Sequence, residues 1–235
     1  MRSDLYFGRR QYGKSTLAMS NALETKRAVF VWDPACCFAH WPESTAQNLS
    51  RLSELLNADP EYRARIIVYQ PGTEEVPEEF EAVFSLLERK AGYVLIVDEC
   101  HWIQNPSWAT PSLRRLIRKP NQFDAIVMQT CHAPADTWAR TRSLATDWFM
   151  FKLTRAADLE AIERECGPEV AEAVSELPAV HSPSLPGERR VYIHYQVDSA
   201  EWEAHDEQEK WYVDLSALPV VDSGITELEE ASNVL

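Results

Sequence analysis

A glycine-containing segment near the start of the chain limits the folds open to it more than any other feature. Gly8 to Ser15 read Gly-Arg-Arg-Gln-Tyr-Gly-Lys-Ser and fit the pattern G-x-x-x-x-G-K-[ST]. A short apolar run from Leu5 to Phe7 precedes the segment, and a helix-forming run from Ser15 to Leu23 follows it. A strand, a tight loop and a helix in this order form a phosphate-binding loop, whose backbone N–H groups and helix N-terminus face the anion. The segment therefore predicts nucleotide binding by a sheet that is flanked by helices.

Roles within this loop follow from the chemistry of its residues. Lys14 is predicted to reach the β- and γ-phosphates of ATP, and the Ser15 hydroxyl is predicted to bind Mg²⁺. The alternative is a chance glycine–lysine turn, which the surrounding strand and helix disfavour. The predicted nucleotide contacts are Gly8, Arg9, Arg10, Gln11, Tyr12, Gly13, Lys14, Ser15 and Thr16.

Two carboxylates at the end of an apolar strand turn the prediction of binding into one of hydrolysis. Tyr93 to Val97 is uniformly apolar, as expected of a central strand covered on both faces, and Asp98 and Glu99 follow it. Ligands bind at the carboxyl ends of the strands in open α/β sheets. We expect Asp98 to support Mg²⁺ and Glu99 to act as the base that polarises the attacking water. The alternative is a solvated strand end.

The rest of the chain alternates between the two types of periodicity. Apolar runs predict further strands at 28–32, 65–69, 124–130, 147–153 and 190–195. Helical patterns occupy 45–57, 77–90, 111–118 and 158–177, with a break expected at Gly167-Pro168 in the last of them. Strands that alternate with helices predict an α/β fold with a mostly parallel sheet.

The strand at 124–130 ends in Gln129 and Thr130, which are polar. In one class of ATPases a strand inserted between the loop strand and the Asp-Glu strand carries a residue that senses the γ-phosphate. We expect this role for Gln129, with a later residue as the alternative sensor. The alternative is a strand that simply ends in polar residues.

Charge is unevenly distributed along the chain. The formal net charge is −14 over 235 residues, which argues against broad coating of nucleic acid. Basic residues cluster at Arg114, Arg115, Arg118 and Lys119, and again at Arg140 and Arg142. These clusters are compatible with a DNA contact that is confined to one face of a ring. The last residues are strongly acidic, so we divide the chain into an ATPase domain at 1–197 and an acidic C-terminal tail at 198–235.

Cysteine usage and hydropathy point to a reducing compartment. The five cysteines are unclustered, and we find neither a signal peptide nor an apolar stretch of the ~20 residues that a membrane span needs. Two Cys-His dipeptides, Cys100-His101 and Cys131-His132, follow predicted core strands. A zinc site there is an alternative, but the spacing fits no standard zinc framework, and buried thiols with polar loop histidines are favoured.

These motifs in this order resemble the FtsK–HerA superfamily of P-loop ATPases. The resemblance covers about residues 4 to 196 and rests on the loop at Gly8–Ser15, on Val31-Trp32-Asp33-Pro34, on Val94 to Glu99, and on Gln129-Thr130 followed by Pro134-Ala135-Asp136. A late helix, Leu177-Pro178 and a further strand add to it. The small size is most similar to the genome-packaging ATPases of tailless viruses with an internal membrane.

That resemblance implies a RecA-like P-loop NTPase fold of the additional-strand (ASCE) class. It also implies a homo-oligomeric ring, usually a hexamer, that uses ATP and Mg²⁺ to translocate double-stranded DNA into a preformed viral capsid. The acidic tail has no counterpart in that family. Its charge favours a protein partner with a basic surface, such as a capsid or portal protein, and the alternative is a solvated terminus. The expected location is the host cytoplasm, with retention at the virion vertex as a further expectation.

In a ring, a neighbouring subunit can contribute a residue to the active site. Transition-state charge needs a cation, and we expect an arginine from a neighbouring subunit, with Arg118 as first candidate and Arg142 as second. The sequence departs from the superfamily's usual Thr-Gln-Arg-Pro after the sensor strand, since Gln129 to Pro134 reads Gln-Thr-Cys-His-Ala-Pro. Two alternatives remain: a phage export ATPase similar to zonula occludens toxin, which generally carries a membrane span, and a non-motor switch, which would not need Glu99.

Overall fold

The computed structural model describes residues 2–10, 12–38, 44–58, 66–72, 76–119, 122–179 and 189–208. Its strands are β1 (Ser3–Phe7), β2 (Ala28–Trp32), β3 (Thr45–Ala46), β4 (Ile66–Tyr69), β5 (Tyr93–Val97), β6 (Gln104–Asn105), β7 (Trp108–Ala109), β8 (Ile126–Cys131), β9 (Asp147–Met150), β10 (Arg189–Gln196) and β11 (Glu201–Gln208). Its helices are α1 (Lys14–Glu24), α2 (Leu49–Ala58), α3 (Val76–Leu87), α4 (Pro111–Arg118), α5 (Ala139–Ser143), α6 (Ala156–Cys166) and α7 (Pro168–Glu176).

Within the described residues, nine strands form one sheet in the order β11-β10-β9-β1-β8-β5-β2-β4-β3. The strands from β9 to β3 in this order run parallel, whereas β10 is antiparallel to β9, and β11 is antiparallel to β10. Strand β8 lies between β1 and β5, which is the position predicted for the strand that carries Gln129 and Thr130. The predicted α/β fold with a mostly parallel sheet is confirmed.

Apolar side chains cover both faces of this sheet. One face packs against α1, and its cluster includes Leu17, Val31 and Ile96. The opposite face packs against α2, α3, α4, α6 and α7, and its cluster includes Phe80 and Leu116. Burial on both sides explains why the central strands read as continuous apolar runs, and it places their carboxyl ends at one polar edge.

The predicted helix at 45–57 begins later than expected. Thr45–Ala46 instead forms β3, which pairs with β4, and α2 begins at Leu49. Leu49, expected on the apolar side, is 39% exposed, while Leu52 and its neighbours Leu55 and Leu56 are buried. The backbone N–H of Gln70 donates to the Ala46 carbonyl at 2.9 Å, so tertiary pairing outweighs local helical preference there.

The predicted interruption at Gly167-Pro168 is confirmed. Helix α6 ends at Cys166, Gly167 has φ 100°, and α7 begins at Pro168. Glycine tolerates this positive φ, and proline suits the first turn of the second helix. None of the helices in the described part of the chain combines the length and apolar character of a membrane span.

A polar edge strand lies where the sequence predicted only an acidic tail. Strand β11 (Glu201–Gln208) pairs antiparallel with β10 along its whole length. The predicted boundary at 197/198 therefore falls at the turn between two strands of one sheet, and residues 201–208 of the predicted acidic tail form a strand of that sheet. The remaining tail, 209–235, lies outside the described residues. Only Trp202 and Ala204 of β11 are apolar, because it is an edge strand that meets solvent, and its mostly acidic composition did not indicate a strand.

Candidate active site

The phosphate-binding loop joins β1 to α1, as predicted. Gly13 has φ 89° and precedes the first residue of α1, a left-handed conformation that favours glycine. A Cβ atom on Gly8 would lie 2.7 Å from Cβ of Phe151, the residue that follows β9. The backbone at Gly8 therefore lies too close to Phe151 for a larger residue. Gln11 lies outside the described residues. The loop leads directly into the N-terminus of α1 at Lys14, and a helix N-terminus suits a phosphate group.

Lys14 extends across this loop. It is 5% exposed, and its Nζ donates to the Arg9 carbonyl at 3.1 Å. Burial lowers the pKa of Lys14, while the charges of Glu99 and Asp98 oppose this. Arg9, whose Nη2 donates to Thr154, and the nearby Arg10 are exposed at the rim. The buried ammonium is thus held next to both carboxylates, where it can meet the terminal phosphates.

Asp98 is fully buried and receives two hydroxyl hydrogen bonds on one oxygen. Ser15 Oγ donates to Asp98 Oδ1 at 2.6 Å, and Thr130 Oγ1 donates to the same atom at 2.7 Å. Burial raises the pKa of Asp98, and these two hydrogen bonds oppose the rise. Its other oxygen, Oδ2, is buried without a hydrogen-bond partner among the described residues. A hydroxyl and a carboxylate oxygen in this arrangement fit Mg²⁺, which prefers oxygen ligands.

Glu99 adopts a strained backbone conformation directly after β5. Its φ and ψ are 47° and 53°, in the left-handed region that non-glycine residues rarely occupy. The backbone N–H of Glu99 donates to Thr130 Oγ1 at 3.1 Å, which holds this conformation. Strain of this kind, about 1–3 kcal/mol, is typical of residues whose side chain must point in one direction. Thr130 therefore orients Asp98 and Glu99 together.

Two histidines flank the Glu99 carboxylate. Its Oε2 lies 3.1 Å from His132 Nε2 and 3.3 Å from His101 Nδ1. Burial would raise the pKa of Glu99, but the hydrogen bond from His101 and the charges of His132 and Lys14 outweigh it, so this pKa lies below its ordinary value. Hydrogen bonds to Cys131 and to Glu99 raise the pKa of His101 to about 9. The carboxylate is consequently ionised and ready to accept a hydrogen bond from water. Sequence reasoning noted both histidines but did not connect them with Glu99.

Gln129 does not face the phosphate loop. Its Oε1 accepts a hydrogen bond at 3.0 Å from Gln104 Nε2, and Gln104 Oε1 accepts one at 2.9 Å from Thr141. Alternation along β8 sends Thr130 toward α1 and Asp98, and sends Gln129 to the other face of the sheet. The residue of β8 that reaches the carboxylates is therefore Thr130, and the expectation for Gln129 is corrected on this geometric ground.

The two candidate trans arginines differ in their surroundings. Arg118 is exposed at the end of α4, with its guanidinium 5.7 Å from the centre of the Trp138 ring. Arg142 is 6% exposed, and its Nη1 donates to the carbonyls of Pro134 and Thr137. Arg142 is thus occupied in holding its own loop, and this geometry removes the basis for a trans role. Arg118 is available to a neighbour.

An arginine that the sequence did not single out lies beside the loop. Arg190, on β10, is 6% exposed, and a Cβ atom on Gly13 would lie 3.3 Å from its Cδ. The chain reaches this position because β10 runs antiparallel to β9, so its first residues return to the carboxyl edge of the sheet. Only the strand topology reveals this proximity, since nothing in the local sequence around residue 190 indicates it.

Asp33, from the Asp-Pro pair after β2, is buried near Asp98. Its two oxygens accept from the N–H groups of Cys37 at 2.8 Å and Phe38 at 2.9 Å, and Oδ2 also accepts from Gln70 at 3.1 Å. Potential ligand atoms of Asp33, Cys37 and Asp98 lie within 4.8 Å of one another. Burial and the nearby Asp98 and Asp33 carboxylates raise the pKa of Cys37 to about 12, so its thiol stays neutral. Asp33 adds negative charge that favours a cation here.

The two Cys-His dipeptides meet at one edge of the sheet, as expected. Cys100 and Cys131 are buried, and the rings of His101 and His132 lie 5.7 Å apart. Among the described residues these four do not form a group with metal-ligand spacing. The favoured interpretation, buried thiols with polar histidines, matches this arrangement.

Several solved structures have a fold similar to that of this chain. The genome-packaging NTPase of Sulfolobus turreted icosahedral virus 2 in complex with sulfate superposes with TM-score 0.69 at 17% identity, covering 87% of this chain and 95% of that chain. In complex with AMPPCP the same NTPase gives TM-score 0.68 at 17% identity, over 87% and 96%. VirB4 of Thermoanaerobacter pseudethanolicus gives TM-score 0.57 at 11% identity, over 90% of each chain. At these identities the comparisons show the shared fold, so the predicted RecA-like P-loop NTPase fold is confirmed. No protein-family model and no curated protein matches the sequence.

Proposed function

We propose that this chain is an ATP-hydrolysing motor that translocates double-stranded DNA, packaging a viral genome into a preformed capsid. The observation that carries the proposal is the hydrogen-bonded set of Ser15, Asp98 and Thr130, with Glu99 held beside it. A protein that only bound nucleotide would not need a strained, ionised carboxylate at this place. A fold shared with a viral genome-packaging NTPase supports the choice of substrate.

Each residue of the site has a defined task in this proposal. Lys14 and the loop N–H groups hold the β- and γ-phosphates, and Ser15 and Asp98 hold Mg²⁺, which neutralises charge that develops on the phosphate oxygens. Glu99 accepts a hydrogen bond from the attacking water and orients it in line with the γ-phosphate. Thr130 fixes the relative positions of the two carboxylates.

The remaining cation of the transition state is proposed to come from an adjacent subunit. Arg118 is exposed at the end of α4, and the contact it makes among the described residues is with the Trp138 ring rather than with an acidic group, which suits a residue that acts across an interface. We propose a homo-oligomeric ring, a hexamer, in which Arg118 of one subunit reaches the nucleotide of the next. Arginine fingers of this kind accelerate hydrolysis by about 10³–10⁵-fold.

DNA contact in this proposal is confined to the centre of the ring. A chain with net charge −14 gains little from broad electrostatic binding, so double-stranded DNA would touch few basic side chains in a pore. The acidic residues beyond β11 would instead meet a basic surface on a capsid or portal protein. We place the protein in the host cytoplasm, with retention at the virion vertex after packaging.

The test compares ATP turnover with and without double-stranded DNA, alongside the mass of the assembled particle. Glu99→Gln is expected to bind ATP like the parent and to hydrolyse it about 10²–10⁴-fold more slowly. Glu172→Gln, at an exposed position of α7, makes the same charge change away from the site and should match the parent. Turnover by Glu99→Gln at the parent's rate would contradict the catalytic assignment. If double-stranded DNA does not change the rate of ATP turnover for any assembled particle, an assembly switch or an export ATPase would be favoured over a DNA motor.

A further inference from the structure

Outside the phosphate loop, three potential metal ligands share one face of the outermost pair of strands. His194 lies on β10, directly opposite Glu203 on β11, and Tyr192 lies opposite His205. Because side chains alternate along each strand, His194, Glu203 and His205 project from the same face, the face that also carries α1. We call these three residues the edge cluster. None of them takes part in the proposed ATPase chemistry.

Distances within the edge cluster suit a single ion. Glu203 Oε1 lies 2.9 Å from His205 Nε2 and 3.5 Å from His194 Nδ1, and ligand atoms of all three residues lie within 4.8 Å of one another. Ligands bound tetrahedrally to Zn²⁺ at ~2.1 Å are spaced about 3.4 Å apart. A small adjustment of side chains therefore brings all three onto one ion.

A second carboxylate orients one of the ligands from behind. His194 Nε2 lies 2.9 Å from Asp147 Oδ1, on the side of the ring that faces away from Glu203. Histidines that bind metals almost always donate their other ring N–H to a carboxylate or carbonyl, which fixes the tautomer and the ring orientation. Asp147 thus leaves Nδ1 of His194 directed at the centre of the cluster.

Aromatic neighbours hold both imidazole rings in place. His194 stacks on Phe149 with centroids 4.4 Å apart and planes within 6°, and His205 stacks on Tyr192 at 4.7 Å and 9°. Stacking of this kind restricts rotation of the rings before any ion arrives. The geometry is therefore prepared by the apolar face of the sheet.

From these observations we propose that the edge cluster binds Zn²⁺ through His194, Glu203 and His205, with water as the fourth ligand. A donor set of two imidazoles and one carboxylate binds Zn²⁺ in preference to Mg²⁺. The negative charges of Glu203 and Asp147 together balance the dication. The bound ion would fasten β11 to β10 and so secure an exposed edge strand against slipping or pairing with another chain.

Zinc binding is measured by competition with a chromogenic chelator and by native mass spectrometry, on the full chain with its nucleotide site filled by Mg²⁺ and an ATP analogue. The parent should bind one Zn²⁺ per chain at the edge cluster. His205→Gln and Glu203→Gln should each lower that affinity at least tenfold. Asp147→Asn, which touches the ion only through His194, should lower it about 10–100-fold. Glu172→Gln, at an exposed position of α7, removes the same charge away from the cluster and should leave affinity unchanged.

Cobalt replacement separates this site from the five cysteines and needs no variant. Co²⁺ bound by two imidazoles and a carboxylate gives visible d–d absorption without a thiolate-to-cobalt charge-transfer band. Such a spectrum on the parent, reversed by added Zn²⁺, supports the site. A thiolate band alone, zinc affinity that survives His194→Gln combined with His205→Gln, or no binding would each overturn the proposal. ATP turnover is not the readout, so the result stands apart from that of the proposed motor.

Discussion

Replacing Thr130 by valine should separate the orienting role of its hydroxyl from its contribution to packing. Valine keeps the shape of threonine and removes the one atom that accepts from the Glu99 N–H and donates to Asp98 Oδ1. Both groups are buried, with Asp98 at 0% and Glu99 at 8% exposure. A buried polar group that loses its partner costs about 1–3 kcal/mol. Because Asp98 keeps its bond from Ser15, we expect a total loss of about 2–4 kcal/mol in the free energy of unfolding.

Catalysis should suffer beyond this loss of stability. Without its hydrogen bond, the Glu99 backbone can leave the left-handed conformation, and a displacement of 1 Å at a reacting group can cost about 10²-fold in rate. We expect kcat for ATP to fall by roughly 10–100-fold, with little change in nucleotide affinity. The Thr130 hydrogen bond also holds down the pKa of Asp98, so the acid limb of the pH–rate profile should move to higher pH in Thr130→Val.

Two control variants make the assay decisive. Thr130→Ser keeps the hydroxyl and should stay within a few-fold of the parent in kcat. Thr137→Val removes another buried hydroxyl, which donates to the Ala133 carbonyl at 3.1 Å, and should lower stability without changing kcat in the folded fraction. Urea unfolding measures stability, and steady-state phosphate release measures turnover at a temperature where all variants are folded. Turnover of Thr130→Val at the parent's rate, or equal slowing in Thr130→Ser, would refute the reasoning.

Other consequences concern pH, the two arginines and the loop glycine. The pKa of His101 is raised from 6.5 to about 9, so its stabilising effect is complete below pH 6.5 and is lost as pH rises through about 9. The free energy of unfolding should therefore fall by about 1 kcal/mol over that window after solvent screening, and His101→Gln should flatten the slope in urea titrations. Arg142→Ala should cost about 2–4 kcal/mol, since two buried carbonyls lose their donor, whereas Arg118→Ala should cost under about 1 kcal/mol yet reduce turnover of the assembled particle. Mixing Arg118→Ala with Glu99→Gln subunits should restore part of that turnover, and no restoration would argue against action in trans. Gly8→Ala, whose Cβ would lie 2.7 Å from a neighbouring side chain, should abolish ATP binding in a fluorescent-nucleotide assay.

The positions of the short motifs in the fold were predicted correctly because each motif directly follows a strand. The loop at Gly8–Ser15 and the pair Asp98-Glu99 each follow a strand directly, so a sequence pattern fixes their position at the carboxyl edge. Gln129 was misassigned because the face on which a strand residue lies depends on its parity relative to the sheet. A shift of one residue exchanges the faces, and only the paired register of β8 with β5 resolves it.

Features that depend on the antiparallel edge were not predictable from composition. Strand β11 has the acidic composition of a solvated tail, and its existence follows from pairing with β10 rather than from an apolar pattern.

The burial of Arg142 was also not predictable from the sequence. Its acceptors, the carbonyls of Pro134 and Thr137, are buried backbone atoms that carry no sequence signal, so Arg142 was interpreted as a member of a basic cluster. Burial of a charge by backbone partners leaves no trace in a residue pattern.

Strand β10 connects the two sites of the molecule physically. Near the start of β10, Arg190 lies beside Gly13. Because side chains alternate along a strand, Tyr192 and His194 lie on the same face as Arg190. Among the strands that the structure describes, β10 is paired on both sides only from Ile193 to Gln196, and the part that carries Arg190 is paired with β11 alone. Because Arg190 depends on β11 for its strand pairing, an ion that fastens β11 to β10 would also limit the movement of Arg190 relative to the phosphate loop. In this proposal the edge strand would influence the nucleotide site through β10, although the two chemistries share no ligand.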